Sequence, residues 1–184
     1  AMLTKRRMDR AWVNKYDSSI NQTIRQAKQV PVLINYAVGG KRAEKTLDKG
    51  DLALIAKLDS SDIPYWFPTD RMMEGGETRR NDPIGITHVH HFYTKRSLWV
   101  LGALYDKAFK SRHKLSVFFV QYAALGFAKI SRYVPTHFSQ VNQYLSGTLY
   151  IGSQQVEVSP DYILTGKLQR LVKHEAPKFG KIKV

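Results

Sequence analysis

The spacing of apolar residues changes along this chain, and that change restricts it to a mixed architecture. Across residues 4–29 there is neither proline nor glycine, and Met8, Trp12, Tyr16, Ile20 and Ile24 recur at every fourth position, the stripe of an amphipathic helix. Residues 30–38 then turn β-branched and apolar, Gly39-Gly40 supplies a tight turn, and residues 41–47 alternate weakly, which predicts a β-hairpin. Asp48 is placed to cap a short helix carrying Leu52, Leu54, Ile55 and Leu58. Helix, hairpin and helix in series predict an α+β fold.

Further along, Ile63-Pro64-Tyr65-Trp66-Phe67-Pro68 is bracketed by prolines and reads as an extended segment lying on the core. Residues 69–84 hold Gly75-Gly76, Asn81-Asp82-Pro83 and the cations Arg71, Arg79 and Arg80, the composition of an exposed, mobile loop. Residues 86–93 read as an ordered extended stretch, after which Thr94 caps a helix through Leu98, Leu101, Leu104, Tyr105 and Ala108. Residues 115–129 are apolar almost all round and predict the central core helix, with Phe118, Phe119, Tyr122 and Phe127 inside. Strands are expected at 130–134, 147–153 and 155–158, and Ser159-Pro160-Asp161 opens a last amphipathic helix. The expected fold is α+β: an N-terminal helix, a β-hairpin, and central helices packed on a small, mostly antiparallel sheet. A single domain over 1–184 is expected, with the N-terminal helix at 1–29, hairpin and helix at 30–68, the loop at 69–84, a main body at 85–176 and a basic tail at 177–184.

Charge narrows the partners. Lysine and arginine number 29 against 15 acidic residues, a formal +14, and such a surface attracts polyanions. An apolar content of 43% is enough for a core. A spanning helix needs ~20 consecutive apolar residues, and the best stretch, 115–130, is interrupted by Ser116, Gln121 and Lys129. With no secretory leader pattern and no cysteine, the expectation is a soluble cytoplasmic protein with no membrane partner. Ala1 before Met2, followed at once by Lys5-Arg6-Arg7-Met8-Asp9-Arg10, reads as the start of an excised piece of a longer chain.

Between Asp106 and Glu157 there is no carboxylate, while Lys107, Lys110, Arg112, Lys114, Lys129 and Arg132 all fall in that span. Phe109, Tyr133, Phe138, Tyr144 and Tyr150 are interleaved with them. Cations neutralise phosphates and aromatic faces stack on bases, so the combination fits nucleic acid, unless the aromatics belong to the core. Alternation along a strand would put His88 and His90 on one face, as a two-histidine metal site requires. No carboxylate stands at a ligand spacing, and a third ligand would have to come from His113 or His137. His88, His90 and His91 are therefore read as phosphate-contacting or as satisfied by backbone carbonyls, not as metal ligands. Asp62-Ile63-Pro64-Tyr65 is one residue from the tetrad that holds a flipped base's amino group, but it follows a predicted helix and no glycine-rich cofactor loop accompanies it. The chain is expected to hold no catalytic, cofactor-binding or metal-binding residue of its own.

The run Ile63-Pro64-Tyr65-Trp66-Phe67-Pro68-Thr69-Asp70, then Arg79-Arg80-Asn81-Asp82, then Gly85-Ile86-Thr87-His88-Val89-His90-His91-Phe92-Tyr93-Thr94-Lys95-Arg96 resembles bacterial and archaeal site-specific DNA methylases of the adenine-N6/cytosine-N4 amino-methyltransferase group. Leu145-Ser146-Gly147-Thr148-Leu149-Tyr150-Ile151 and the 31–45 hairpin are similar to the same proteins. The resemblance implies a region inserted between the S-adenosylmethionine-binding motif and the Pro-Pro-aromatic catalytic motif, neither of which is present. It implies target recognition or DNA positioning within a restriction-modification type of methyltransferase. DNA and the remaining methyltransferase domains would be the partners, S-adenosylmethionine the cofactor of the parent enzyme only, and no methyl transfer would come from this chain alone. On that reading Arg71, Arg79, Arg80, Lys95, Arg96 and Arg132 contact phosphates or bases, with the three histidines beside them, and Lys95-Arg96 profit from the amides of a helix N-terminus. An independent RNA-binding module and a basic scaffold for acidic protein partners stand as alternatives.

Overall fold

A computed structural model of the chain describes residues 9–134 and 144–173. The fold is α+β and divides into two compact units: Ala1–Asp62 with Arg71–His88, and Ile63–Asp70 with Val89–Val184. The 177–184 tail lies outside the described residues.

The first unit begins with strands where a helix is expected. β1 (Trp12–Asp17) and β2 (Gln22–Ala27) form an antiparallel hairpin, in register from Trp12 opposite Ala27 to Asp17 opposite Gln22. The reason lies in the arithmetic of the apolar stripe. A spacing of four is one turn of helix, but it is also an even number, so Trp12 and Tyr16 share one face of β1 as they would share a helix stripe, while Ile24, opposite Lys15, falls on the other face of the hairpin. Trp, Val, Tyr, Ile and Thr at these positions tip the balance towards the pleated form, and Asp17 and Asn21 close the turn. The Asp17 carboxylate accepts from the Ser19 amide at 3.0 Å, and Asn21 takes the left-handed conformation at φ 54°, which asparagine tolerates better than most residues. Arg25 lies 4.4 Å over the Trp12 ring.

The second hairpin follows the sequence closely. β3 (Ile34–Val38) pairs with β4 (Lys41–Lys45) across Gly39-Gly40, both at positive φ, the conformation that a two-residue primed turn demands. Asp48 then caps α1 (Lys49–Ser60) in a reciprocal box: its carboxylate accepts from the Asp51 amide at 2.9 Å, and the Asp51 carboxylate accepts from the Asp48 amide at 3.0 Å. The expected mobile loop is folded. α2 (Gly76–Arg79) and a 3-10 turn at Asp82–Ile84 wind around the buried Asn81, whose carbonyl accepts from the amides of Ile84 and Ile86, both at 3.1 Å. Gly85 follows at φ 78°, and its carbonyl accepts from the Gln26 side chain at 3.0 Å, tying this turn to β2.

The second unit resumes at Val89, where the 86–93 stretch ends not in a strand but in a 3-10 turn at Val89–Phe92. Thr94 caps α3 (Lys95–Lys110) as expected, accepting from the Ser97 amide at 3.1 Å. α4 (Lys114–Ala124) and α5 (Pro160–Lys173) complete the unit, the latter opening on proline as the sequence predicts. The strands expected at 130–134 and 155–158 shrink to a single bridge between Arg132 and Gln155, and none forms at 147–153. The helices therefore pack on one another and not on a sheet: α3 against α4, and α4 against α5. Their core includes Phe92, Leu98, Val120, Ala123, Phe127 and Ile163. α4 is also less central than its composition predicts, since Phe127 is buried but Phe118 and Tyr122 are exposed. No helix among the described residues is long and apolar enough to cross a membrane.

Close approach explains one glycine. Gly102 is buried in mid-α3, where alanine would ordinarily add about 1 kcal/mol of helix stability. Here an added Cβ would stand 2.9 Å from the Tyr65 Cβ and 3.3 Å from the Trp66 carbonyl, because the 63–70 segment lies directly on the helix. Gly102→Ala is expected to lower the thermal midpoint by a few degrees, a net loss of about 1 kcal/mol from overpacking. Scanning calorimetry reads the sign.

Candidate nucleic-acid interface

The arginines singled out in the sequence are held by acids of their own loop. Arg79 donates from Nε to Glu74 at 2.8 Å and reaches Asp82 at 3.4 Å, Arg71 meets Asp82 at 3.1 Å, and Arg80 meets Glu77 at 2.8 Å. The Arg79 guanidinium also donates to the Met72 carbonyl at 2.7 Å, so its fork closes the loop on itself. Arg79 holds the Glu74 carboxyl below the ordinary carboxylate range, chiefly by hydrogen bonding. Exposed pairs of this kind contribute little to stability, but they occupy the donors that phosphate would need. With Glu74, Glu77 and Asp82 these three arginines form a charge-balanced clasp.

The other expected contacts divide. His88 is half-buried in the first unit, bridged to Arg71 through the backbone and 2.8 Å from the Thr87 hydroxyl. His90 and His91 lie in the second unit, buried in the 3-10 turn with their rings 4.3 Å apart and Phe67 6.0 Å from His90. Arg96 forms a two-pronged pair with Glu157, which also accepts from the Thr94 hydroxyl at 3.0 Å. Lys95 opens α3, and Arg132 sits in the bridge to Gln155.

The turn between α3 and α4 has a different character. Phe109, Lys110, Arg112, His113, Lys114 and Val117 line an open cleft of about 610 Å³. Lys110 pairs with Asp106 at 2.7 Å, while Lys107, Arg112 and Lys114 make no ion pair among the described residues. No carboxylate lies between Asp106 and Glu157 in the sequence, so Arg112 and Lys114 have no acidic neighbour within their own stretch of chain. Lys107 and Lys110 stand in the last turn of α3, where the helix dipole favours cations for purely structural reasons. That account extends to the charge of Arg112, just past the Ser111 C-cap, but it fails for Lys114. Lys114 is the first residue of α4, the end of a helix that repels cations, and His113 occupies the N-cap without making a capping bond. Arg112 adopts φ 55°, a left-handed conformation that costs a residue with a Cβ about 1–2 kcal/mol and that glycine adopts freely. A cation held where stability disfavours it points to a use for its charge.

Aromatic rings lead up to this cleft. Trp66 lies 5.3 Å from Tyr105 at 43°, and Tyr105 stacks on Phe109 at 6.2 Å and 19°. The two outer rings are open to solvent, Trp66 at 65% and Phe109 at 68% of full exposure. A second exposed row, Leu115, Phe118 and Tyr122, runs along α4 and is continued by Leu125 just past its end, with Lys167 of α5 3.6 Å over the Tyr122 ring. Hydrogen bonds from Arg170 and then Lys167 pull the Tyr122 phenol below its ordinary range, whereas burial pushes Tyr93 up.

Comparison with family models, curated proteins and solved structures gives no match.

The corner residues fall inside the carboxylate-free span that stands out in the sequence, yet of that span only Arg132 is among the expected contacts. Two signals point to them: Tyr105 and Phe109 at i, i+4 share a helix face, and Arg112-His113-Lys114 sits between two helical periods. The partnership of Trp66 with α3 leaves no such trace, because it depends on how the 63–70 segment packs over Gly102.

Proposed function

We propose that this chain is a DNA-binding region of an S-adenosylmethionine-dependent site-specific DNA methyltransferase of the adenine-N6/cytosine-N4 group, positioning duplex DNA without catalysing transfer itself. Its resemblance to such enzymes over residues 63–96 supplies the family. The observation that carries DNA binding is the α3–α4 corner, where Arg112 and Lys114 are cations without an ion pair among the described residues, Arg112 in a left-handed backbone conformation and Lys114 at a helix N-terminus. Phosphate neutralisation by such groups gives affinity without sequence preference, and target choice would be added by further contacts.

Among the described residues, neither glycine pair fits the cofactor. Gly39-Gly40 forms a hairpin turn and Gly75-Gly76 opens a four-residue helix, so neither pair lies between a strand and a helix long enough to receive a nucleotide. S-adenosylmethionine therefore belongs to other domains of the parent enzyme, in the cytoplasm. The exposed row on α4 suits contact with those domains. Binding of labelled duplex DNA across a salt series tests the proposal: a straight log-log line falling steeply with salt is expected, and affinity unchanged between low and moderate salt would exclude a phosphate-driven complex.

A further inference from the structure

We propose that the Trp66–Tyr105–Phe109 ladder, with the cleft beside it, is a binding site for single-stranded DNA. This rests on the DNA-binding reading and adds the form of strand that the site prefers. The inference starts from the ring geometry. Trp66 and Phe109 are each about two-thirds exposed, yet each is held by a ring contact with the half-buried Tyr105 between them. An apolar side chain left in water at a loop or helix surface is ordinary. Three rings in series with both outer faces open are a stacking platform, and they have one edge on a cleft lined by Lys110, Arg112, His113 and Lys114.

That combination selects its occupant. A protein partner rich in apolar groups would bury the rings but leave the cations unmet, and an acidic peptide would meet the cations but leave the rings in water. A duplex presents phosphates but keeps its base faces stacked internally. Only an unpaired strand offers planar faces and phosphates at alternating positions, and stacking on aromatic side chains is tolerant of sequence because every base has a π-face. The 63–70 segment supplies Trp66 and α3 supplies the other two rings, and the close approach over Gly102 fixes the first to the rest.

The test compares a fluorescein-labelled oligo-dT of roughly a dozen nucleotides, a length within the range of known single-strand sites, with a hairpin duplex of equal phosphate number. Oligo-dT is expected to bind more tightly and to quench tryptophan fluorescence. Trp66→Ala and Phe109→Ala should each weaken oligo-dT binding on the order of tenfold while leaving duplex affinity within about twofold. Trp66→Phe, which keeps a stacking face, should retain oligo-dT affinity and lose most of the quenching. Both alanine sites are exposed, and an unchanged thermal midpoint confirms that folding is intact. Alanine variants that bind oligo-dT like the parent, or that weaken both ligands equally, would overturn the stacking site. So would displacement of oligo-dT by polyglutamate of equal charge, or tighter binding of oligo-U. Duplex binding with no preference for oligo-dT would overturn this inference and leave the proposed function standing, whereas failure to bind either DNA would remove the function itself.

Discussion

Replacing Gly85 by alanine is expected to cost the first unit about 3–5 kcal/mol, enough to unfold a unit of ordinary marginal stability under mild denaturant. Two effects add. Gly85 sits at φ 78°, where a Cβ costs about 1–2 kcal/mol. That Cβ would stand 2.2 Å from the Arg25 carbonyl oxygen and 2.8 Å from the Gln26 Cα. Both are backbone atoms, so no rotamer change relieves the clash, and β2 would have to withdraw and give up the Gln26 bond to the Gly85 carbonyl. Little else compensates, because within this unit's described residues only Asn81, Gly85 and Ile86 are buried. Gly76→Ala is the control, since an added Cβ there meets nothing within 4 Å. Denaturation followed by circular dichroism should separate the two variants widely, and amide exchange in Trp12–Asp17 and Gln22–Ala27 should accelerate only in the first. Equal midpoints for the two variants would mean that the Gly85 turn does not anchor β2.

What the sequence states locally, the structure repeats. Gly39-Gly40, the Asp48 box, the Thr94 cap and Pro160 at the head of α5 are each specified by a few neighbouring residues, and nothing distant has to agree with them. The errors arise where one pattern admits two outcomes. A spacing of four satisfies a helix stripe and a strand face alike, as Trp12 and Tyr16 do in β1, and side-chain type decided for the strand. The continuous apolar character of residues 115–129 shows that the helix forms but not which side is covered, so Phe118 and Tyr122 emerge on the surface while Val120 and Ala123 are buried. A charge count likewise leaves the pairing of each cation open. Arg71, Arg79 and Arg80 pair with Glu74, Glu77 and Asp82 of their own loop, whereas Arg112 and Lys114, in the span that holds no acid, make no ion pair among the described residues.

Removing Arg112 and Lys114 together is expected to reduce the log-log salt slope of duplex binding by up to ~1.8, the value for two lost phosphate contacts, and to weaken binding tenfold or more, on the order expected at low salt. Arg79→Ala/Arg80→Ala should bind as the parent does, because those guanidinium groups already face carboxylates inside their loop, and it should shift stability by no more than about 1 kcal/mol. The more telling variant is Arg112→Gly. If Arg112 served the fold, glycine would lower stability and binding together. If it serves DNA, the two readouts part: relief of the left-handed strain, about 1–2 kcal/mol, outweighs the ~0.5–1 kcal/mol that glycine loses in chain entropy. The thermal midpoint should then hold or rise while the salt slope falls by ~0.9. A midpoint that drops with unchanged DNA affinity would return Arg112 to a structural role and leave the corner without its distinguishing cation.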